Sequence, residues 1–517
     1  MPQLQSEFED FYYFTIKPLG YKKINDLIKK YHLLKENPLI VNQAILLQKT
    51  KISFDQVRQV LGDKIIPAYP VFIISILQAL DYKPLNLNES SYGYCYQTLI
   101  HFALAKQAGL SNDDIDTYVN YLKEFAFFLF KKDLDGIDKK TFKEFHTEYE
   151  KSFIIPEFEI VRKTLLNSQI LKIEDDGYKF GYKYILYFLI AKYISEIINS
   201  KEGNVWVKKL FQNLHNEKNA NILVFITHHT KEITFIEESL FSTLTPFENT
   251  TPISLEKGGQ YYQLIQDIAN EISNDILELN RKPEEEREKH LTRLDEINRK
   301  IEKDNSSEEE VPEEINNLML PFYSSFRSIE IVGQIIKNRK GSLPKQKLTE
   351  LITELYLLGF RTIGCLGDMF KEMKNELLVN LIERIDDGDS KHKIDQKINT
   401  FFQIISLQAC LGIISKIVYS TGVKELKDIY KQVAEEIGTP VAKLVSFSIN
   451  SYYNDISANE IKTLASELED NLVAFQILKI RVKSYIYNNH VDFKKKQKIA
   501  SALKMQLGSR PLKRKNH

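Results

Sequence analysis

Residues 174–194 read EDDGYKFGYKYILYFLIAKYI. Seven aromatic rings lie between Tyr178 and Tyr193, and three settings would hold so many: a membrane span, a face that stacks nucleic-acid bases, or the core of a larger helical machine. The stretch opens on Asp176-Gly177, a strong turn signal, inside the alternating apolar and polar residues of QILKIEDDGYKFGY. That is the pattern of a β-hairpin. A helical pattern follows over 183–199, in which Tyr184, Tyr187, Phe188, Ala191 and Ile194 recur at three and four and predict one continuous apolar face. The apolar run Ile185 to Ala191 ends at Lys192, far short of the roughly 20 residues that a membrane span needs. The expected setting is the third, a rigid buried joint.

Working outward, Ser111 and Asn112 cap a helix that runs through DDIDTYVNYLKEFAFFLF, a second helix starts near Lys139, and PEFEIVRKTLLNS forms a third over 156–168. Three helices followed by a two-stranded wing make a winged-helix layout over 111–200. Ahead of it, FEDFYYFTIKPLG (8–20) reads as a strand that ends in a turn at Pro18 and Gly20. A strand needs a sheet, so residues 1–20 are expected to be a residual strand and turn from a core lying upstream. Residues 21–110 read as helices: YKKINDLIKKYHLL, then KISFDQVRQVLGDK with Gly62 as its stop, then IIPAYPVFIISILQALDY with Pro67 and Pro70 ahead of an apolar helix. Residues 201–280 read as helical scaffold throughout. Composition then shifts: about three fifths of residues 281–314 are charged, which predicts a charged linker or a solvated helix over 281–315. Helices resume over 316–507, and 508–517 form a basic tail expected to be disordered. The uncharged run INTFFQIISLQACLGIIS (398–415) carries Asn399, Gln403 and Ser406 as a polar stripe, which predicts a buried core helix. The fold class expected is mainly α, with a helical lid, a winged helix bearing a small β-hairpin, and a multi-helix C-terminal scaffold.

The 517 residues include 70 basic and 70 acidic side chains, so no net field draws the chain to nucleic acid or anionic lipid. Cys95, Cys365 and Cys410 are odd in number and far apart, which fits a reducing compartment and predicts a cytoplasmic location. Several patterns imitate chemistry. KKDLDGIDKKTF (131–142) has the aspartates of a calcium loop, but Asp138 would fall where that loop needs its glycine. His228 and His229 are adjacent on a helix, point about 100° apart and cannot share a metal. No stretch matches GxxxxGK[ST], so the chain is expected to be no enzyme, with no catalytic residues, metal or cofactor of its own. The third helix carries Glu157 and Glu159 beside Arg162 and Lys163, and Glu174, Asp175 and Asp176 stand on the wing. Acids there repel phosphates, so DNA reading is disfavoured.

Several segments resemble the STAND-type P-loop NTPases of the NACHT class. YFTIKPLGYKKINDLIKKY resembles the strand and lid helix that follow their nucleotide-binding core, and IIPAYPVFIISIL their proline-bearing lid helix. YKFGYKYILYFLIAKYI is similar to the end of their winged helix, while NILVFITHHTKE and FRSIEIVGQIIKNRKGSLP resemble helical segments of bacterial members. The resemblance implies the regulatory and sensing half of such a protein, in antiviral defence or signalling, without the nucleotide-binding core. A truncated or split protein, or a misassigned start, would explain that. It implies that Pro70 lies against a nucleotide base and that Tyr182 takes the place of a phosphate-contacting histidine. A phenol is a weaker, neutral donor, so phosphate contact there is in doubt. ATP or ADP with magnesium is implied only for a complete member. The partners implied are a protein trigger on the C-terminal helices, and an NTPase core or further copies of the chain. Two rival readings stay open: a stand-alone helical interaction scaffold and a winged-helix DNA-binding regulator.

Overall fold

The computed structural model describes residues 16–35, 42–62, 66–81, 91–230, 232–244, 246–272, 276–304, 313–382 and 388–508. The fold is mainly α. Most of the strand expected at 8–20 lies outside the described residues. Ile16–Gly20 hold no regular structure; Leu19 N donates to Ala68 O at 2.9 Å and lays this segment beside the chain that leads to Pro70.

The first four helices are α1 (Tyr21–Leu34), α2 (Gln43–Leu61), α3 (Pro70–Asp81) and α4 (Ser91–Phe102), the last prolonged by a π-helical turn over Ala103–Gln107. Their limits follow local chemistry. Asn42 accepts from Ala44 N and Ile45 N to start α2, and Gly62, at φ +61°, ends it. Then come α5 (Asn112–Lys131), α6 (Lys139–Glu150), α7 (Phe158–Asn167), the antiparallel pair β1 (Leu171–Glu174) and β2 (Gly177–Phe180), and α8 (Lys183–Glu196). The turn sits one residue earlier than the Asp-Gly signal suggests. Asp175 and Asp176 are its two central residues, both left-handed (φ +51° and +59°), as a type I′ turn requires, and Gly177 already pairs with Glu174.

Beyond α8 lie α9 (Lys201–Gln212), α10 (Glu217–His229), α11 (Ile233–Leu244) and α12 (Gln260–Ile272). The uninterrupted helical reading of 201–280 is corrected here: a non-helical segment precedes Gln260, and β3 (Ile276–Glu278) pairs in parallel with β4 (Gln506–Gly508), the last described residues. Between these strands run α13 (Pro283–Asp304), α14 (Glu313–Arg339), α15 (Lys345–Ile382), α16 (Gly388–Thr421), α17 (Lys427–Ile437), α18 (Pro440–Tyr453), α19 (Ala458–Leu468), α20 (Leu472–Asn488) and α21 (Phe493–Ala502). The basic tail beyond Gly508 lies outside the described residues.

The charge-rich segment is no free linker over Pro283–Asp304, where it is α13 and packs on α1 and α20. Composition hid the reason. A single buried leucine, Leu291, suffices as apolar anchor, and Asp295 caps α1 from a distance, accepting from Tyr21 N at 2.6 Å and Lys22 N at 3.1 Å. Helix α16 holds the 398–415 run. Over His392–Thr421 it is long and apolar enough to cross a membrane, and it packs against α12, α14, α15 and α18. Ser406, on the stripe expected to be polar, is wholly buried and donates to the Phe402 carbonyl at 2.7 Å.

Helices α14 and α16 meet at Gly333, where an added Cβ would stand 2.6 Å from the Ser420 carbonyl carbon. Gly→Ala inside a helix ordinarily stabilises by about 0.5–1 kcal/mol. Gly333→Ala is expected to reverse that sign and destabilise by ~1–3 kcal/mol. Gly412→Ala, on the open side of α16 where nothing lies within 4 Å, should keep the ordinary sign. Urea midpoints of the two variants check the contrast.

Candidate functional site

Pro70 is the first residue of α3, where its missing N–H goes unneeded, and it is exposed. Tyr182 stands just ahead of α8, half-buried, with burial raising its phenol above the ordinary value. A third residue links the two. The Phe72 ring meets Tyr182 edge-on at 5.4 Å, and Tyr69 and Tyr184 lie 6.4 and 6.3 Å from Phe72. Tyr69 also donates from its hydroxyl to Ile16 O at 3.3 Å. The two residues named from resemblance therefore belong to one aromatic cluster, which joins the start of α3 to the start of α8. Nothing in the sequence marks Tyr69 and Phe72 except their adjacency to Pro70 in AYPVF.

Behind this cluster α8 forms the joint. The five residues expected on its apolar face are all buried, but so are Ile185, Leu189 and Ile190. The helix is enclosed nearly all round because α5 packs on one side and α10 on the other. A one-sided pattern cannot describe a helix in that position. On the α5 side Tyr193 stacks on Phe127 with ring centroids 3.9 Å apart, and Trp206 of α9 meets Phe127 edge-on at 5.6 Å. On the α10 side Phe188 contacts Tyr96 of α4, Phe225 and His229 at 6.0, 5.9 and 4.5 Å. The joint thus couples the first four helices, the ribbon module and α10.

His228 and His229 end α10; His228 is buried, and His229 is partly exposed with its Nε2 buried. Asn338 of α14 donates from Nδ2 to His228 Nδ1 at 3.0 Å and to Thr227 Oγ1 at 3.2 Å, and Arg339 Nη2 donates to Thr227 O at 3.1 Å. His229 Nε2 is buried with no hydrogen-bond partner. Burial, with Arg339 nearby, lowers His228 to about 3; burial, Lys192 and His228 hold His229 well below its ordinary value. His228 thus ties α10 to α14, and His229 meets Phe188 of α8.

The calcium-like segment has structural employment. Ile137 forms an antiparallel bridge with Tyr178, and Asp138 caps α6 by accepting from Thr141 N at 2.7 Å. On α7, Glu159 accepts from Arg162 Nε at 2.8 Å and also pairs with Lys139. Arg162, a residue that DNA reading would need, is thus occupied by an acid of its own helix. Ile160 of α7 and Ile173 of β1 are exposed beside these charges.

A family model described as Novel STAND NTPase 4 matches residues 136–190, about a tenth of the chain. The match begins at Gly136, covers α6, α7 and the β-ribbon, and ends within α8 at Ile190. It supports a STAND NTPase-related domain at this place in the chain. No curated protein and no solved structure matches the chain.

Proposed function

We propose that this chain is the regulatory and sensing part of a STAND-type NTPase of the NACHT-like kind, in a cytoplasmic antiviral or signalling system of bacteria. In this reading residues 21–110 are the lid, 111–200 a winged helix, and the C-terminal helices the surface that meets a protein trigger. The observation that carries it is the family match over 136–190, which falls on the module that α8 joins to the rest of the protein. The order of elements there also supports it: helix, short bridge at Ile137, two helices, then a ribbon whose β2 pairs with both β1 and Ile137. Pro70 and Tyr182 would face a nucleotide held by a core outside these 517 residues, and the Phe72 contact would move the two together. ATP or ADP with magnesium would be bound there, and the trigger would act through α10 and α8. Copies of the chain would assemble through that core.

The purified chain is expected to release no phosphate from MgATP above a buffer blank, and to co-purify from its source with a P-loop protein. Hydrolysis that persists through stringent purification and scales with this chain alone would overturn the reading. So would recovery with no nucleotide-binding partner under any trigger condition.

A further inference from the structure

The surface where α2 meets α13, α14, α16 and α18 takes no part in the function proposed above. One face of α2 presents Lys51, Asp55, Arg58 and Gln59 at helical spacing. Across from it stand Arg287 of α13, Gln334 and Lys337 of α14, Tyr419 of α16 and Tyr452 of α18. Gln59 Nε2 donates to Gln334 Oε1 at 2.5 Å and ties the walls together. Tyr452 donates from its hydroxyl to Asp55 at 2.5 Å, and its ring meets Tyr419 edge-on at 5.2 Å. The phenol of Tyr419 lies within electrostatic reach of Asp55, Arg58 and Arg287. Its side chain is 50% exposed, and Lys51, Asp55, Arg287 and Lys337 are each partly exposed. The surrounding helices still desolvate the site strongly enough to lower Lys51 and Lys337 to about 8. A group that water reaches and packed protein surrounds lines a crevice.

The charges of this crevice do not balance. Lys51, Arg58, Arg287 and Lys337 are four cations, and Asp55 is the carboxylate among them. Each cation is met by a neutral group. Lys51 Nζ lies 4.1 Å over the Tyr452 ring, and the Arg58 guanidinium 4.5 Å over Tyr21. Arg287 donates from Nε to Asn25 Oδ1 at 2.7 Å, and Lys337 from Nζ to the Tyr419 carbonyl at 2.5 Å. None of the four forms an ion pair with a described residue. Neighbouring acids are engaged elsewhere: Glu330 with Arg327 and Lys416, and Glu425 with Lys340. Desolvated like charges repel and persist at a cost unless an anion joins them. Several cations around one space call for a multivalent anion, and arginine and lysine together match phosphate oxygens.

We propose that this crevice binds a small phosphate-bearing anion, a nucleotide or an inorganic polyphosphate, with its phosphates among Lys51, Arg287 and Lys337 and, for a nucleotide, its base against the exposed ring of Tyr419. The site shares no residue with the Pro70–Tyr182 cluster, so it stands whether or not the STAND reading does.

Isothermal titration of the full chain at ~0.15 M salt, a level that screens exposed charges, with sodium tripolyphosphate and separately with ATP, tests it. One site per chain is expected. Lys51→Gln and Arg287→Gln should each weaken binding by about tenfold or more, and Lys208→Gln, at an exposed position of α9, should leave it unchanged. Each substitution relieves repulsion among the cations but forfeits a contact, Lys51 with the Tyr452 ring or Arg287 with Asn25, so the melting of each free variant is measured beside its binding; Lys337→Met replaces either one that fails to fold. ATP binding tighter than tripolyphosphate, with the advantage lost in Tyr419→Ala, identifies a nucleotide as ligand. Equal affinities that ignore Tyr419→Ala identify polyphosphate. Absence of binding by both probes, or binding that neither the α2 nor the α13 substitution weakens, overturns the proposal.

Discussion

Between pH 7 and pH 4.5 the folded chain is expected to lose roughly 2.5 kcal/mol through His228 alone, and more in the same direction through His229. Both rings are neutral in the folded protein, because burial and the cations Lys192 and Arg339 oppose a further charge. In the unfolded chain they titrate near the ordinary 6.5, so below that pH the unfolded state binds two protons that the folded state refuses. The stability is therefore complete above about pH 7 and drains away as the pH falls, for His228 toward its folded value of about 3. The slope is up to about 1.4 kcal/mol per pH unit for each ring. Geometry agrees. Asn338 Nδ2 already donates to His228 Nδ1 at 3.0 Å, so a proton at that nitrogen would set donor against donor and part α10 from α14. Against a typical total of ~5–15 kcal/mol, such a loss decides whether the joint survives mild acid. Urea unfolding at half-unit steps from pH 7 to 5, followed by the fluorescence of Trp206, measures the slope. His229→Leu should flatten it by up to about 1.4 kcal/mol per unit; at neutral pH it loses the ring's hydrogen bond to the Phe188 backbone but no partner of Nε2. An unchanged slope in that variant would remove the histidine pair as the cause.

Local order along the chain was readable to the extent that near neighbours dictate it. The three helices and the ribbon of 112–180 follow from a capped start, an alternating pair of runs and a turn, all of which act within a few residues. Even so the turn was displaced by one residue, because Asp175 and Asp176 both accept the left-handed backbone that glycine was expected to supply. Contacts set by distant partners were not readable. Asp295 caps α1 from 274 residues away, and α13 looks solvated from composition because its packed side rests on Leu291 and on polar groups. The same holds for the two sites. Resemblance points to Pro70 and Tyr182 one at a time, whereas Phe72, the residue that puts them in one cluster, shows its role only when α3 and α8 lie together. Lys51, Asp55, Arg58 and Gln59 could have been noticed as one face of a helix. Without Arg287, Lys337 and Tyr419 beside them, that face reads as an ordinary solvated stripe.

The largest single-residue effect is expected from Phe188→Ala, at about 3–5 kcal/mol. Phe188 is 1% exposed and touches Tyr96, Phe225 and His229, so its ring belongs at once to the packing of α4, α8 and α10. Truncation forfeits the buried surface of the ring, opens a cavity among aromatic neighbours that are themselves held on two other helices, and loses edge-to-face contacts worth ~0.5–1.5 kcal/mol apiece. Because those neighbours cannot all collapse inward, relaxation should recover little. Tyr193→Ala, on the half-buried side of the same helix, should cost clearly less, although its ring stacks closely on Phe127. Phe188→Leu should restore most of the loss, since a branched chain refills the space without the ring. Two measurements separate a joint from a merely well-packed helix. The loss in Phe188→Ala with Phe225→Ala should fall short of the sum of the single losses, because the two rings share one contact. Amide exchange should then accelerate together in α4, α8 and α10, and remain slow in α17–α19, which do not touch Phe188. Acceleration confined to α8 would mean that the three helices do not move as a unit, and α8 could not carry a displacement from α10 to the cluster at Tyr182.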